Sequence, residues 1–195
     1  MGIIEDIRKD IIALSDGETK EKVIRLTSGA KCYGVTVPKL RWLAKEYKKR
    51  NLDFVDILAI ASDFFENRNR EEILFAVFLL ALYKNDKRQI SWNTVLQWLD
   101  HLDNWETCDQ LSSCIVVDIL LTKNDFVHDL VPLAKSDNVW KRRFAAATVA
   151  NLNHGGRQFK EETQTIVNLL QNEKEPIVKK AVVWALKEIT GPSAK

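Results

Sequence analysis

The stretch VWKRRFA at residues 139–145 recurs 37 positions later as PIVKKAV at residues 176–182. Both copies place a basic pair ahead of small or apolar residues. REEILFA at residues 70–76, which begins 73 positions before Arg143, is a weaker third copy. A period near 40 residues is typical of proteins built from stacked helix pairs. The repeat therefore predicts a chain in which the second helices of successive pairs line one face.

Apolar periodicity predicts helices along almost the whole chain, and the few glycines and prolines (7 and 4) fall between the periodic segments. Pro38 and Pro176 suit the first turn of a helix, and Asn104 suits the N-cap of the helix that carries Trp105. The predicted helices cover residues 3–15, 18–28, 38–50, 53–64, 69–84, 88–101, 105–121, 124–135, 139–152, 158–171 and 176–190. We therefore expect an all-α, HEAT-like α-solenoid of antiparallel helix pairs with a concave groove, formed as one domain over residues 1–195.

Composition excludes some classes of function. Apolar residues make up 46% of the chain, and 29 Lys and Arg against 27 Asp and Glu give a net charge of +2. This balance permits nucleic-acid binding only if the basic residues are segregated on one face. The odd number of cysteines, the lack of CxxC spacing and the lack of a signal peptide predict a reduced, cytoplasmic protein. No apolar run reaches the ~18 residues of a membrane span, and ILFAVFLLAL from Ile73 suits a buried helix.

Four residues on three predicted helices form a candidate site. Trp105 and Asp109 are four apart and share a helix face, Arg143 follows 34 positions after Asp109, and Trp184 follows 41 positions after Arg143. Because residues one repeat apart can line one surface of a solenoid, these side chains can meet in one groove. Core packing of both indoles, and a solvated or Arg143-paired Asp109, are the alternatives.

Basic residues recur at the repeat period, as Lys141, Arg142 and Arg143 and then as Lys179 and Lys180. A solvated helix face is the usual explanation for such residues, but a stripe of positive charge also suits a phosphate backbone. Arg142 and Arg143 differ by about 100° around a helix, so they cannot serve one partner equally. The chain has no H-x-x-x-H spacing, no glycine-rich phosphate loop and no G-x-S-x-G, and we expect neither a metal nor a cofactor.

Four motifs in this order resemble the DNA alkylation repair family of HEAT-repeat DNA glycosylases. They are G-x-x-x-P-x-x-R at Gly34 to Arg41, N-W-x-x-x-D ending at Asp109, D-N-x-W-x-x-R at Asp137 to Arg143, and K-A-x-x-W-x-L at Lys180 to Leu186. The resemblance covers roughly residues 20–190.

The resemblance implies an enzyme that removes cationic N3- and N7-alkylated purines from duplex DNA, and we expect it to be a monomer. Asp109 would be the catalytic carboxylate, Trp105 and Trp184 the aromatic walls, and Arg143 the contact that holds DNA near the lesion. Such a base is already charged and leaves without protonation, so the developing sugar cation is what needs a carboxylate. Lys141, Arg142, Lys179 and Lys180 would add DNA contacts.

Three departures from the family pattern keep other functions open. Ile24 lies where typical members carry an aromatic residue, Asn104 lies where many have a second one, and the chain ends soon after Trp184. They favour, as an alternative, a DNA-binding module without catalysis. The near-neutral charge would also suit a protein-interaction scaffold.

Overall fold

In the computed structural model of the protein, residues 2–122, 125, 127–154 and 159–190 are described. Within these ranges the regular structure is helical and contains no strand, which confirms the all-α prediction and is consistent with an α-solenoid. None of the described helices is long and apolar enough to cross a membrane. The helices are Ile3–Ala13 (α1), Gly17–Leu26 (α2), Val37–Lys48 (α3), Phe54–Asn67 (α4), Arg70–Ala81 (α5), Trp92–Leu99 (α6), Trp105–Leu111 (α7), Val117–Leu120 (α8), Val127–Ala134 (α9), Val139–Asn153 (α10), Lys160–Leu169 (α11) and Pro176–Thr190 (α12).

The chain divides into two compact units, Met1–Gln110 and Leu111–Lys195. The formation of one domain by both units, as expected from the sequence, stays a prediction.

The core of the first unit is built around α5, which packs against α3 and α4 and also touches α1. Every residue from Arg70 to Leu80 is buried, as expected of a helix that is apolar all round after its first turn. Phe75 makes edge contacts with Tyr47 and Phe64, with ring centroids 5.5 and 6.2 Å away. The apolar run from Ile73 therefore forms the predicted buried helix.

The core of the second unit is built around α10, which packs against α9, α11 and α12. Residues 143–150 are all buried, and three consecutive alanines at 145–147 allow neighbouring helices a close approach. The helices α10 and α12 begin at Val139 and Pro176, so their starts are separated by the 37 residues of the sequence repeat.

The structure differs most from the predicted helix boundaries in two places, while the other helix ends shift by three residues or fewer. The helix expected over 88–101 begins at Trp92, because the Ser91 side chain accepts a hydrogen bond from the Thr94 amide and caps it there. The helix expected over 105–121 is interrupted by a π-helical turn at Ser112–Val116. Such a turn holds one extra residue and shifts the side chains that follow, but residues 115–121 are apolar at nearly every position, so the sequence does not reveal it. The predicted breaks at Gly155-Gly156 and Gly191-Pro192 lie outside the described residues.

Candidate functional site

Trp105 and Asp109 lie one turn apart on α7, and both side chains are partly exposed. Asn104 caps this helix as predicted, because its buried side chain accepts a hydrogen bond from the Thr107 amide at 3.1 Å. The Trp105 indole donates through Nε1 to the backbone oxygen of Leu26, the last residue of α2, at 2.9 Å. The indole is therefore held by a polar contact instead of being enclosed in the core.

The first turn of α7 is held by an ion pair that the sequence analysis missed. Arg70 on α5 donates from Nε to Glu106 Oε2 at 2.6 Å, and the Arg70 side chain is 4% exposed. Burial opposes the charged form of Arg70, yet Glu106 and Glu71 raise its pKa above the ordinary value. A sequence signal existed, since three charged residues directly after Asn69 open an otherwise apolar helix.

Glu71 connects Arg70 to the backbone of the segment before α3. Its carboxylate accepts hydrogen bonds from the Tyr33 amide at 2.8 Å and from the Gly34 and Val35 amides at 3.2 Å each. Arg70 Nη1 in turn donates to Glu71 Oε1 at 2.8 Å and to the Val35 carbonyl at 3.1 Å. The Glu71 carboxylate, the three amides and Arg70 Nη1 are therefore all hydrogen-bonded inside the protein, as a stable buried network requires.

The backbone conformation and close surroundings of Gly34 leave no room for a side chain at the first position of the G-x-x-x-P-x-x-R motif. Its φ is +92°, and a Cβ built there would lie 2.5 Å from the Asp16 backbone oxygen and 2.7 Å from the Lys20 amide nitrogen. A residue other than glycine would therefore push α2 away from the segment before α3. Pro38 lies in the first turn of α3, as predicted.

One departure from the family pattern caps α7, and the other lies on α2, whose last residue contacts Trp105. Asn104, at a position where many members carry an aromatic residue, is fully buried and acts as the helix cap. Ile24, at the other departing position, lies on α2 and is 40% exposed. Leu26, two residues later, accepts the Trp105 hydrogen bond. Asn104 thus has a structural role that an aromatic side chain cannot perform.

In the second unit, the guanidinium of Arg142 forms hydrogen bonds within the protein. Its Nη2 lies 3.3 Å from Glu173 Oε1, its Nε also donates to that carboxylate, and Nη1 donates to the carbonyls of Ser136 and Asp137 at 2.9 Å each. The hydrogen bond from Arg142 lowers the pKa of Glu173 to about 2, with help from the Glu175 and Lys174 amides. The hydrogen bonds of Arg142 therefore connect the start of α10 to the segment before α12.

Arg143 points to a different partner, as its angular offset from Arg142 predicts. Its Nη1 donates to the carbonyl of Ile177, in the first turn of α12, at 2.6 Å, and the residue is 6% exposed. Asn138 caps α10 by accepting from the Trp140 amide at 2.8 Å, so the helix that carries Arg143 and the partly exposed Lys141 has a fixed start.

The exposed face of α12 gathers the remaining predicted site residues. Val178, Ala181 and Ala185 face the core of the second unit, and the opposite face carries a shallow depression of about 420 Å³. The Trp184 indole donates through Nε1 to Glu188 Oε1 at 2.9 Å. The depression is lined by Lys179, Lys180, Val183, Trp184 and Lys187. Three cations around an aliphatic side chain and an indole suit an anionic partner that also has flat, apolar faces.

Among the described residues, no group of three His, Cys, Asp or Glu side chains is arranged to hold a metal ion. The first unit carries a partly exposed carboxylate and indole on α7, and the second unit carries a basic face with an indole on α12.

The fold and these residues define an all-helical protein with a carboxylate–indole pair and a basic helix face. The family model for DNA alkylation repair enzymes matches residues 7–194, and the chain belongs to that family. Membership supports a role as an enzyme of alkylation repair, with DNA as its substrate. A comparison with curated proteins finds no match.

Proposed function

We propose that the protein is a monofunctional DNA glycosylase that excises N3- and N7-alkylated purines from duplex DNA and so starts base excision repair. The observation that carries this proposal is the pairing of Asp109 with Trp105 on α7, with both side chains partly exposed. The helix start that presents them is fixed by the Asn104 cap and by the Arg70–Glu106 ion pair. A preorganised carboxylate of this kind suits charge stabilisation in a transition state.

The chemistry requires little more than such a carboxylate. An N3- or N7-alkylated purine is cationic and departs as a neutral base, so no general acid is needed. As the N-glycosidic bond breaks, positive charge develops on the sugar, and Asp109 would stabilise that charge and orient the attacking water. The electron-rich face of Trp105 would favour the cationic sugar or base by about 0.5–2 kcal/mol.

DNA binding in this proposal uses the second unit. Lys179 and Lys180 would contact phosphates, and Trp184 would offer an apolar surface beside them. Lys141 and Arg143 would contact the DNA backbone, with Arg143 oriented by its hydrogen bond to the Ile177 carbonyl. Arg142 would act differently, because its guanidinium binds the Glu173 carboxylate and two backbone carbonyls. We therefore assign it the support of α10 instead of a phosphate contact.

Base release from duplex DNA that contains 7-methylguanine tests the proposal. The wild-type protein should release 7-methylguanine under single-turnover conditions, and it should leave uracil in a matched duplex in place, because uracil is a neutral base. Asp109→Asn should slow release by about 10²–10³-fold, with the dissociation constant for the duplex changed less than threefold. Asp56→Asn, which removes an exposed carboxylate in the first turn of α4, is the matched control and should release base at the wild-type rate.

The alternative function is DNA binding without catalysis, and the basic face of α12 favours it, since that face needs no catalytic group to bind DNA. It predicts salt-dependent affinity for the duplex and no base release by wild type. Absence of release from 7-methylguanine and 3-methyladenine duplexes, with binding intact, would reject the glycosylase and leave this alternative.

A further inference from the structure

The largely buried cluster around Arg70 makes a direct contact with the proposed catalytic helix, α7. Arg70 Nε and Glu106 Oε2 are 2.6 Å apart, and Glu106 lies between Trp105 and Asp109 in the first turn of α7. The side chains of Arg70 and Glu106 are 4% and 17% exposed. A contact so short and so shielded from water fixes the position of Glu106 relative to α5.

Arg70 is itself fixed by contacts on its other side. Glu71, whose side chain is fully buried, binds Arg70 Nη1 and is held in turn by the amides of Tyr33, Gly34 and Val35. The Arg70 amide also donates to the Lys31 carbonyl at 2.9 Å. A continuous chain of hydrogen bonds therefore runs from the backbone before α3, through Glu71 and Arg70, to α7.

The guanidinium geometry is essential to this chain. One planar fork serves Glu106, Glu71 and the Val35 carbonyl in three directions at once. A lysine ammonium is a point charge and cannot reproduce the fork, and a glutamine removes the charge that both carboxylates require.

We propose that Arg70 is a positioning residue for base excision, which acts through Glu106 to set where α7 presents the Trp105 indole and the Asp109 carboxylate. The inference rests on the proposed function, but the placement of α7 can be measured without any activity. Since a misplacement of 1 Å can cost about 10²-fold in rate, loss of the Arg70 fork should slow the chemical step by about 10–100-fold. DNA affinity should change little, because the Arg70 side chain is only 4% exposed.

Arg8 provides a matched control inside the same unit. It forms a comparable ion pair with the fully buried carboxylate of Glu72, with Nε 2.9 Å from Oε1, but it lies on α1 and none of its ion-pair partners is on α7. Arg8→Gln therefore measures the general cost of breaking a buried ion pair at the start of α5.

Single-turnover release of 7-methylguanine should be compared for wild type, Arg70→Gln, Glu106→Gln, the double variant and Arg8→Gln, at a temperature where circular dichroism shows all five folded. We expect Arg70→Gln to lose 10–100-fold in rate with the dissociation constant for DNA unchanged within threefold. The double variant should lose no more than Arg70→Gln alone, because both act through one contact. Arg8→Gln should keep its rate within threefold. A wild-type rate in folded Arg70→Gln, or an equal loss in Arg8→Gln, would overturn the proposal.

The Trp105 indole N–H signal in ¹⁵N-resolved NMR gives a second readout that is independent of catalysis. It should shift in Arg70→Gln and keep its wild-type position in Arg8→Gln. If wild type releases no base, the proposed function fails, and this signal alone decides whether Arg70 positions α7. An unshifted indole signal in Arg70→Gln would reject the positioning role even in an active enzyme.

Discussion

The starts of α5 and α10 share a design and differ in how their charges are neutralised. Both buried helices begin after an asparagine cap, Asn69 and Asn138, whose side chain accepts from two backbone amides. Both then carry charged residues in the first turn. On α5, Arg70, Glu71 and Glu72 are all buried and are satisfied by one another, by Arg8 and by backbone amides.

The start of α10 carries only basic charged residues, and they are more exposed than those at the start of α5. Lys141 is partly exposed, the Arg142 side chain is 18% exposed, and Arg143 reaches a carbonyl of α12. One repeat later, the exposed Lys179 and Lys180 take the places of Arg142 and Arg143. The comparison shows that similar helix starts have different uses in the two units. In the first unit the charged residues form a buried hydrogen-bond network, and in the second unit some of them place positive charge at the surface.

The largest expected effect that tests this comparison concerns stability. Glu71→Ala leaves Arg70 and three amides without their carboxylate in a fully buried site, so the free energy of unfolding should fall by about 3–5 kcal/mol. Glu173→Ala removes the partner of the more exposed Arg142 and should cost about 1–3 kcal/mol. Urea denaturation of both variants measures the difference. Equal losses in the free energy of unfolding would show that the charged groups at the two helix starts do not differ in how much their burial and pairing matter for stability.

A pH dependence sharpens the comparison for the second unit. The pKa of Glu173 is lowered to about 2 from an ordinary 4.5, so its stabilising contribution is fully present above about pH 4.5 and is lost as the pH falls towards 2. At pH 7 the free energy of unfolding of wild type should exceed that of Glu173→Gln by about 1–3 kcal/mol. This difference should be smaller at pH 3. Urea denaturation at the two pH values tests it, and a gap that widens in acid would contradict the assignment.

The smallest expected effect concerns the outward charge of α12. Lys179→Gln and Lys180→Gln should each weaken duplex binding by about 1 kcal/mol or less and reduce the slope of log affinity against log salt by about one. Lys160→Gln, at the exposed start of α11, is the control in the same unit and should leave the slope unchanged. Fluorescence anisotropy between 50 and 200 mM salt is a suitable measurement; an unchanged slope in both α12 variants would remove this face from the DNA interface.

Much of the fold could be predicted because its signals are local. The helix starts at Val139 and Pro176, the cap at Asn104 and the buried helix after Arg70 follow from residues within one or two turns. The π-helical turn at Ser112–Val116 could not be predicted, because the residues that follow it are apolar at nearly every position and hide the shift in helical phase.

The candidate site was predicted less completely. The shared face of Trp105 and Asp109, and that of Lys180 and Trp184, follow from helical periodicity. The different partners of Arg142 and Arg143 follow from the same geometry, but the identity of those partners does not. No role was predicted from the sequence for Glu106 or Lys187, although one is an ion-pair partner of Arg70 and the other lines the depression beside Trp184.

The sequence by itself determined the helical class, the repeat of helix starts and the family, since backbone hydrogen bonding, capping and motif spacing are short-range properties. Only the tertiary structure decided which charges face inward. Arg70 and Arg142 find Glu106 and Glu173 at separations of 36 and 31 residues, and Trp105 finds the Leu26 carbonyl 79 residues away. Whether a charge is neutralised inside the protein or exposed at its surface depends on these long-range partners, because burial without a partner costs more than a folded chain can tolerate.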